Sequence, residues 1–422
     1  MSSYLSRLIE RQLSELLSEL PAIAIDGAKG VGKTSTAQRF AKSTFRLDDN
    51  RVAEAVQARP EELRDAAPPV LLDEWQRLPL VWDVVRRSVD DDRVAGRFIL
   101  TGSAVPAQTP VHSGAGRIIR LRMRPLSLAE RSLVEPTVSL AGLLGGQSEV
   151  SGSTSFDLRG YVDEMLRSGF PGLRDGSWRA IRNALDSYVD NIVQRQFAEQ
   201  GVSVRKPETL RAWLTAYAAA TGGTANYTEI LDAATAGQPD KPSKDQTLVY
   251  RDALADSWLT DEVAPWLPVG SSLPTLTRSP KHFLADPAIA ARLLDLSHES
   301  LLSGDTPEPL GPQQSTLLGR FFEALVGQSL QVYAAVNEAK LSHLRLKEGK
   351  REIDFVISRG RDVVAVEVKL NPTVDGWDVR HLNWLAEKFA TYHVTKILIT
   401  PGPYAYTRSD GVHVIPAVLL GA

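Results

Sequence analysis

The chain has 422 residues, 43% hydrophobic and 23% charged, with a net charge of −3. These are the proportions of a soluble globular protein, and the length favours several domains over one core. It has no cysteine, which excludes disulfides, thiolate zinc sites and cysteine nucleophiles and fits a reducing, cytoplasmic setting. The seven histidines are scattered, so a catalytic metal is expected to be a hard ion held by oxygen.

Leu5, Leu8, Ile9, Leu13, Leu16, Leu17 and Leu20 recur at helical spacing. They predict an amphipathic helix that packs on its own domain. No signal peptide is read at the N-terminus, no apolar run approaches the ~18 residues of a membrane span, and no membrane partner is expected. Pro21 stops the pattern, and Ala22 to Ile25 reads as a buried strand followed by a glycine-rich turn and a helix to about Lys42. A second strand is expected at Val70 to Leu72, then a helical stretch through Trp75, Leu78, Trp82 and Val85. Phe98 to Leu100 and Ile118 to Leu121 give two more strands. The alternation predicts an α/β domain, a parallel sheet with helices on both faces, over residues 1–141.

Gly27-Ala28-Lys29-Gly30-Val31-Gly32-Lys33-Thr34 fits the pattern G-x-x-x-x-G-K-[ST] between a strand and a helix. Such a loop turns successive backbone N–H groups toward phosphates, so ATP is the expected ligand. Lys33 would reach the β- and γ-phosphates, Thr34 would coordinate Mg²⁺, and Ser35 follows as a further nucleotide contact. Asp73 ends the second strand, where a carboxylate can hold the magnesium shell, and Glu74 is the natural general base for water. Thr101 and Ser103 end the third strand, either as sensors of the γ-phosphate or as an ordinary polar strand end. Arg117, Arg120, Arg122 and Arg124 follow. Arg117 is the candidate arginine finger for a neighbouring subunit in a homo-oligomer; a solvated basic face is the competing reading.

A Gly/Ser-rich stretch within residues 142–156 reads as a linker, and residues 157–204 as a helical segment. Residues 205–302 hold three short helical patterns and a strand around Trp258, Leu259 and Val263, the parts of a winged helix. The recognition helix would run from Ser243 to Leu254. It carries Lys244 and Arg251 but also Asp245 and Asp252, so its charge cancels. DNA contact and protein docking both remain open for it. Residues 303–422 begin with a Pro/Ser/Gly-rich boundary and a helix bearing Phe321, Phe322, Leu325, Val326 and Leu330. Two β-runs follow, Glu352 to Ile357 and Val363 to Leu370, then a helix around Trp377 to Phe389 and a strand, Lys396 to Ile399.

The P-loop, Leu71 to Arg77 (LLDEWQR), Ile99 to Ser103 (ILTGS), Gly116-Arg117 and Arg124 to Glu130 (RPLSLAE) occur in this order. In this they resemble a group of prokaryotic AAA-type ATPases. The likeness continues through Ser168 to Gly172, Phe322 to Gly327 and Glu352 to Ile357, nearly the whole chain. It implies a winged-helix middle region and a C-terminal α/β domain similar to restriction-endonuclease-like, PD-(D/E)XK folds.

Asp354, Glu367 and Lys369 have the D-x₁₂-E-x-K spacing of such nucleases. Arg359 to Asp362 looks like a tight turn, and a hairpin symmetric about Gly360 and Arg361 places Asp354 directly opposite Glu367. Opposed Cβ atoms stand only ~5 Å apart, so the two carboxylates repel unless a cation such as Mg²⁺ or Mn²⁺ bridges them or one is protonated. Lys369 projects from the same face, and Glu323 resembles the accessory acid of these nucleases. Arg345, Lys347, Lys350, Arg351, Arg359 and Arg361 suggest a local basic patch for DNA. An exposed hairpin with ordinary pairs, Glu352 opposite Lys369 among them, is the plainer alternative. The leading expectation is an ATP-dependent DNA-processing enzyme with a metal nuclease. The alternative is a non-catalytic, ATP-gated adaptor or regulator.

Overall fold

The computed structural model describes residues 4–103, 114–196, 207–235, 244–268, 279–307, 310, 316–346 and 351–422. In the N-terminal region, helix α1 (Ile9–Leu17) leads into β1 (Ala22–Asp26), α2 (Lys33–Gln38), β2 (Ser43–Arg46) and α3 (Asn50–Ala58). Then come β3 (Val70–Asp73), α4 (Leu80–Asp91), β4 (Phe98–Gly102) and β5 (Ile119–Arg122). The strands form one parallel sheet in the order β2-β3-β4-β1-β5.

Alternation along each strand feeds two cores, because successive side chains leave opposite faces. Ile23, Ile25, Leu71 and Ile99 pack toward α1 and the rest of the molecule. Ala22, Ala24, Val70, Leu72, Phe98 and Leu100 meet Val81, Trp82 and Val85 of α4 on the other face. Strands buried on both sides must read as continuous apolar runs, and these do. β2 is the strand that the sequence hid. It lies at the sheet edge, and Phe45 is its one large apolar residue. The helical stretch expected from Trp75 is also interrupted: a 3₁₀ turn spans Trp75–Arg77, and α4 starts only after Pro79.

The segment expected to be a linker is structured. β6 (Val138–Ser139) pairs with β14 (Leu420–Gly421), α5 (Leu140–Leu144) follows, and β7 (Gly152–Ser153) pairs with β12 (Tyr404–Thr407). Leu143 O accepts a hydrogen bond from Thr395 Oγ1 at 3.0 Å, and Val150 N donates to Thr407 Oγ1 at 3.1 Å. Its glycines serve turns, such as Gly146 at φ 81°, rather than slack.

Next come α6 (Leu158–Arg167), α7 (Trp178–Asn191), α8 (Pro207–Ala219), α9 (Tyr227–Ala234) and α10 (Lys244–Asp256). Two extended segments follow α10, joined by antiparallel bridges between Thr260 and Leu284 and between Val263 and Lys281. Helices α11 (Pro287–Leu293) and α12 (His298–Ser303) fold back on α6, so the region expected as two units shares one helical core. Ser243 lies outside the described residues.

The C-terminal region opens with α13 (Leu317–Val336), apolar nearly all round and buried between the helical layer and a second sheet. That sheet contains β8 (Lys340–Arg345), β9 (Glu352–Arg359), β10 (Asp362–Val368), β11 (His393–Thr400), β12 and β13 (Val412–Pro416) in the order β7-β12-β13-β11-β10-β9-β8. Helix α14 (Arg380–Lys388) covers the other face through Leu382 and Leu385.

One buried carboxylate ties the three regions together. Asp261 accepts from Arg124 Nε at 2.6 Å, from Arg124 Nη2 at 3.2 Å and from Gln331 Nε2 of α13 at 3.2 Å, with Arg122 Nη1 at 3.0 Å. Burial alone would raise its pKa, but the two guanidinium groups outweigh it and hold the carboxyl below its ordinary 3.8. Asp261→Asn leaves two arginines without their counter-charge and should lower stability by about 3–5 kcal/mol near neutral pH. Because the folded pKa is depressed, this wild-type advantage is full above the unfolded value and shrinks as pH falls through the folded one. Urea unfolding of both proteins at pH 7 and at acid pH measures it.

Candidate functional site

The first site forms where β1 ends. Gly27 takes φ 155° and passes so close to the next strand connection that an added Cβ would stand 2.2 Å from Met123 O. Gly32 takes φ 104° just before α2. These backbone demands explain the glycines and curl the loop around the Lys33 ammonium, which donates to Gly27 O at 2.7 Å and Ala28 O at 2.9 Å. Burial lowers the Lys33 pKa to about 8, although Glu74, Asp26 and Asp73 act the other way. A cation held at the expense of its hydration favours an incoming anion. Ala28 and Val31 are buried, whereas Lys29, Gly30 and Ser35 are exposed.

Parallel pairing sets Asp73 of β3 beside Thr101 of β4. Asp73 Oδ1 accepts from Thr34 Oγ1 at 2.7 Å and from Thr101 Oγ1 at 2.5 Å. The three oxygens converge at the C-terminal ends of the strands and the start of α2. Thr34 and Asp73 supply the hard donors that magnesium takes, so the residues present fit Mg²⁺ with a nucleotide.

Glu74 adopts φ 55°, an uncommon conformation for a side-chain-bearing residue. Its Oε2 accepts from Gln76 Nε2 at 2.5 Å and from Ser103 Oγ at 3.3 Å. Ser103 therefore steadies the acid in this arrangement. Gln76 was missed as a functional residue, because nothing in the local pattern says that it folds back two positions.

The four arginines part company. Arg117 Nε donates to Asp90 Oδ1 at 2.7 Å on the surface of α4, with its side chain 43% exposed. Arg120 Nε donates to Asp26 Oδ2 at 2.6 Å, directly before the loop. Burial raises the Asp26 pKa against the pull of Arg120 and Lys33. Arg122 and Arg124 serve Asp261. The loop itself rests on other regions: Tyr188 OH donates to Lys29 O at 3.0 Å and Arg7 Nη1 to Val31 O at 2.9 Å.

The second cluster lies on the C-terminal sheet. The hairpin register pairs Asp362 with Arg359 and Val366 with Phe355, as symmetry about Gly360 and Arg361 requires. Asp354 and Glu367 come together at its far end, where Asp354 Oδ2 accepts from Val368 N at 2.9 Å. Lys369 Nζ donates to Glu367 Oε2 at 3.0 Å. Glu367 Oε1 is buried and has no hydrogen-bond partner among the described residues.

A residue absent from the sequence expectation completes the cluster. Lys281, fully buried, donates to Glu323 Oε1 at 2.8 Å and Asp354 Oδ1 at 3.0 Å, with Glu352 Oε1 at 3.4 Å. An isolated lysine far upstream in the chain gives no local signal of this role. Among the described residues no group of three or more His, Cys, Asp or Glu side chains is disposed to hold a metal ion. Burial would raise the Asp354 pKa, but Lys281, Lys369 and the Val368 N–H hold it at about 2. Burial pushes Glu323 up to about 8 and Glu367 well above the carboxylate range, with Asp354 adding repulsion to both. Both glutamate carboxyls are thus held toward their protonated form.

Among the described residues, the members of the expected basic patch do not surround these acids. Arg345 is buried and reaches Thr224 and Glu352, and Arg351 lies over the Trp384 ring. Arg359 and Arg361 sit at the hairpin turn, roughly 20 Å away at ~3.3 Å per residue. Lys347 and Lys350 lie outside the described residues. Glu352 engages Lys281 and Arg345 rather than Lys369.

Residues 19–132 match the family described as AAA domain. Residues 158–300 and 318–420 match two domains of unknown function, DUF8612 and DUF4143. Uncharacterized proteins of Mycobacterium bovis and Mycobacterium tuberculosis are each 25% identical over 431 residues, covering 97% of this chain and 84% of theirs. Among solved structures, a Walker-type ATPase of Pyrococcus abyssi covers 69% of this chain and 96% of its own at 14% identity and TM-score 0.39. The ORC2 protein of Aeropyrum pernix covers 68% and 90% at 16% identity and TM-score 0.29. Both scores lie below 0.5. The family match, the P-loop and the strand order identify the N-terminal region as an AAA-type P-loop ATPase domain. No helix among the described residues is long and apolar enough to cross a membrane.

Gln76 tests the local geometry. Losing one hydrogen bond to a carboxylate costs about 1.5 kcal/mol, so Gln76→Ala should lower kcat for ATP hydrolysis about tenfold with KM little changed. Steady-state ATPase kinetics check the split.

Proposed function

We propose that this chain is a Mg²⁺-dependent ATPase that acts as a switch on DNA, with a C-terminal restriction-endonuclease-like domain as the controlled part. The convergence of Thr34, Asp73 and Thr101 beside the Lys33 loop carries the reading, since it gathers the donors that a nucleotide and its ion require. Bound Mg²⁺ supplies charge neutralisation on the phosphates. Lys33 exchanges its loop carbonyls for phosphate oxygens, Asp73 and Thr34 orient the ion's shell, and Glu74 takes the proton of the attacking water. Assembly through the nucleotide site accords with the exposure of Arg117, the candidate finger for a neighbouring copy.

Three helices of the middle region, α8 to α10, precede two bridged extended segments, an order that supports a winged helix there. From Thr247 onward the exposed face of α10 includes Leu248 and Val249, while Arg251 covers the Tyr227 ring. That face suits protein docking better than a phosphate backbone. Support for DNA comes instead from Trp377, 72% exposed between Lys369 and α14, with the Arg380 guanidinium 4.9 Å from its ring centre. An exposed indole backed by arginine is a stacking platform for an unpaired base.

The cation contacting Asp354 and Glu323 is Lys281, which favours a domain that does not cut in this state. Metal-dependent cleavage is the second reading, favoured by Glu367 Oε1, which makes no hydrogen bond among the described residues, opposite Asp354, and by Lys369 beside it. DNA incubated with Mn²⁺, wild type and Asp354→Ala decides between them. Cutting lost in the variant supports the nuclease; no cutting of branched, single-stranded or duplex DNA supports the regulator.

Two measurements address the main reading. Lys33→Ala should lose nucleotide binding, whereas Glu74→Gln should bind ATP and turn it over slowly; turnover equal to wild type rejects Glu74 as the base. Trp377→Ala should weaken binding of a single-stranded oligonucleotide about tenfold or more, as expected for one stacked base. Fluorescence anisotropy reads it, and unchanged affinity removes Trp377 from the DNA site.

A further inference from the structure

Lys281 reaches the acids from a different part of the fold. Its backbone belongs to the bridged pair that follows α10: Val263 N donates to Lys281 O and Lys281 N to Val263 O, both at 3.0 Å. Its side chain crosses to Glu323 on α13 and to Asp354 and Glu352 on β9. The contact lengths of 2.8 and 3.0 Å suit an ammonium group, whereas magnesium draws its oxygens to ~2.1 Å. Two cations cannot share so small a space, because their repulsion is weakly screened where water is excluded.

A second observation points to a ligand. Glu367 Oε1 is buried beside the cluster and makes no hydrogen bond among the described residues, with His381 Nδ1 no nearer than 3.9 Å, although the same carboxyl's other oxygen is satisfied by Lys369. A buried carboxyl oxygen left without a hydrogen bond is costly, and an ion or its bound water would satisfy it.

We propose that Lys281 is a resident, displaceable cation, and that the Glu323–Asp354–Glu367 cluster admits a divalent ion only when the bridged pair draws this lysine out. The pair has a handle at its other strand. Asp261 lies two residues before Val263 and is gripped by Arg122 and Arg124 at the end of β5, the strand that pairs with β1 ahead of the P-loop. A shift of β5 on nucleotide binding pulls on the same ladder that seats Lys281. This deepens the reading of the C-terminal acids as a controlled site and rests on it. The test needs neither ATP nor DNA, so its outcome is separable from the ATPase and DNA-binding results.

The test is calorimetric titration of Mn²⁺ into the full chain without nucleotide. Wild type should show no ion at the C-terminal cluster. Lys281→Met should gain one ion, at least tenfold tighter than any wild-type binding, and lose it again when Asp354→Asn is added. Its thermal midpoint should rise with Mn²⁺ while that of wild type stays put. Removing a buried ammonium leaves the acids uncompensated, so Lys281→Met with Glu352→Gln, which removes one charge of each sign and spares the three proposed ligands, is measured in parallel. Folded variants that take up no more Mn²⁺ than wild type overturn the proposal. So does wild type that binds the ion as tightly as Lys281→Met, or failure of both variants to refold in millimolar Mn²⁺.

Discussion

The architecture turns on one short ladder with a buried charge on each strand. Asp261 on the first strand meets two arginines at and just beyond the end of β5; Lys281 on the second meets acids of α13 and β9. Backbone hydrogen bonds between Val263 and Lys281 fix the distance between the two anchors. Each charge is out of water, so each is tolerable only while its partners stay in place. A displacement at either end therefore carries a large electrostatic cost unless the other end follows or a substitute ion arrives. Through Asp261 and Lys281 the ladder thus touches the end of β5, α13 and β9.

The nucleotide site shows the same economy of parts. Parallel pairing alone sets Asp73 against Thr101, and the tight loop alone aims Lys33 inward. Side-chain contacts then refine what the backbone began: Thr34 closes on Asp73, and Gln76 and Ser103 hold Glu74. The loop is braced from outside by Tyr188 and Arg7. These two hydrogen bonds tie the loop directly to α7 and to the N-terminal segment.

Much of this was legible in the sequence where the physics is local. Continuous apolar runs marked β1, β3 and β4 because both faces of that sheet are covered. The turn at Gly360 gave the β9–β10 register, and with it the approach of Asp354 to Glu367. What stayed hidden depends on partners distant in the chain. Ser43 to Arg46 carries too little apolar surface to announce an edge strand. The Gly/Ser composition near residue 150 suggested slack, yet its strand β7 pairs with β12, some 250 residues later. Arg345 read as a phosphate contact but is buried against Glu352, and Lys281 has no neighbour in sequence that hints at three carboxylates. Charge type is visible in a sequence; the company a charge keeps is a tertiary property.

Coupling between the two sites is the central claim, and hydrogen–deuterium exchange tests it most directly. The Glu74→Gln protein should be followed with and without ATP and Mg²⁺, reading the amides of residues 260–263 and 281–284. The account predicts that ATP protects the P-loop and at the same time loosens the Val263 and Lys281 amides. A protected P-loop with unchanged exchange across that ladder would contradict it.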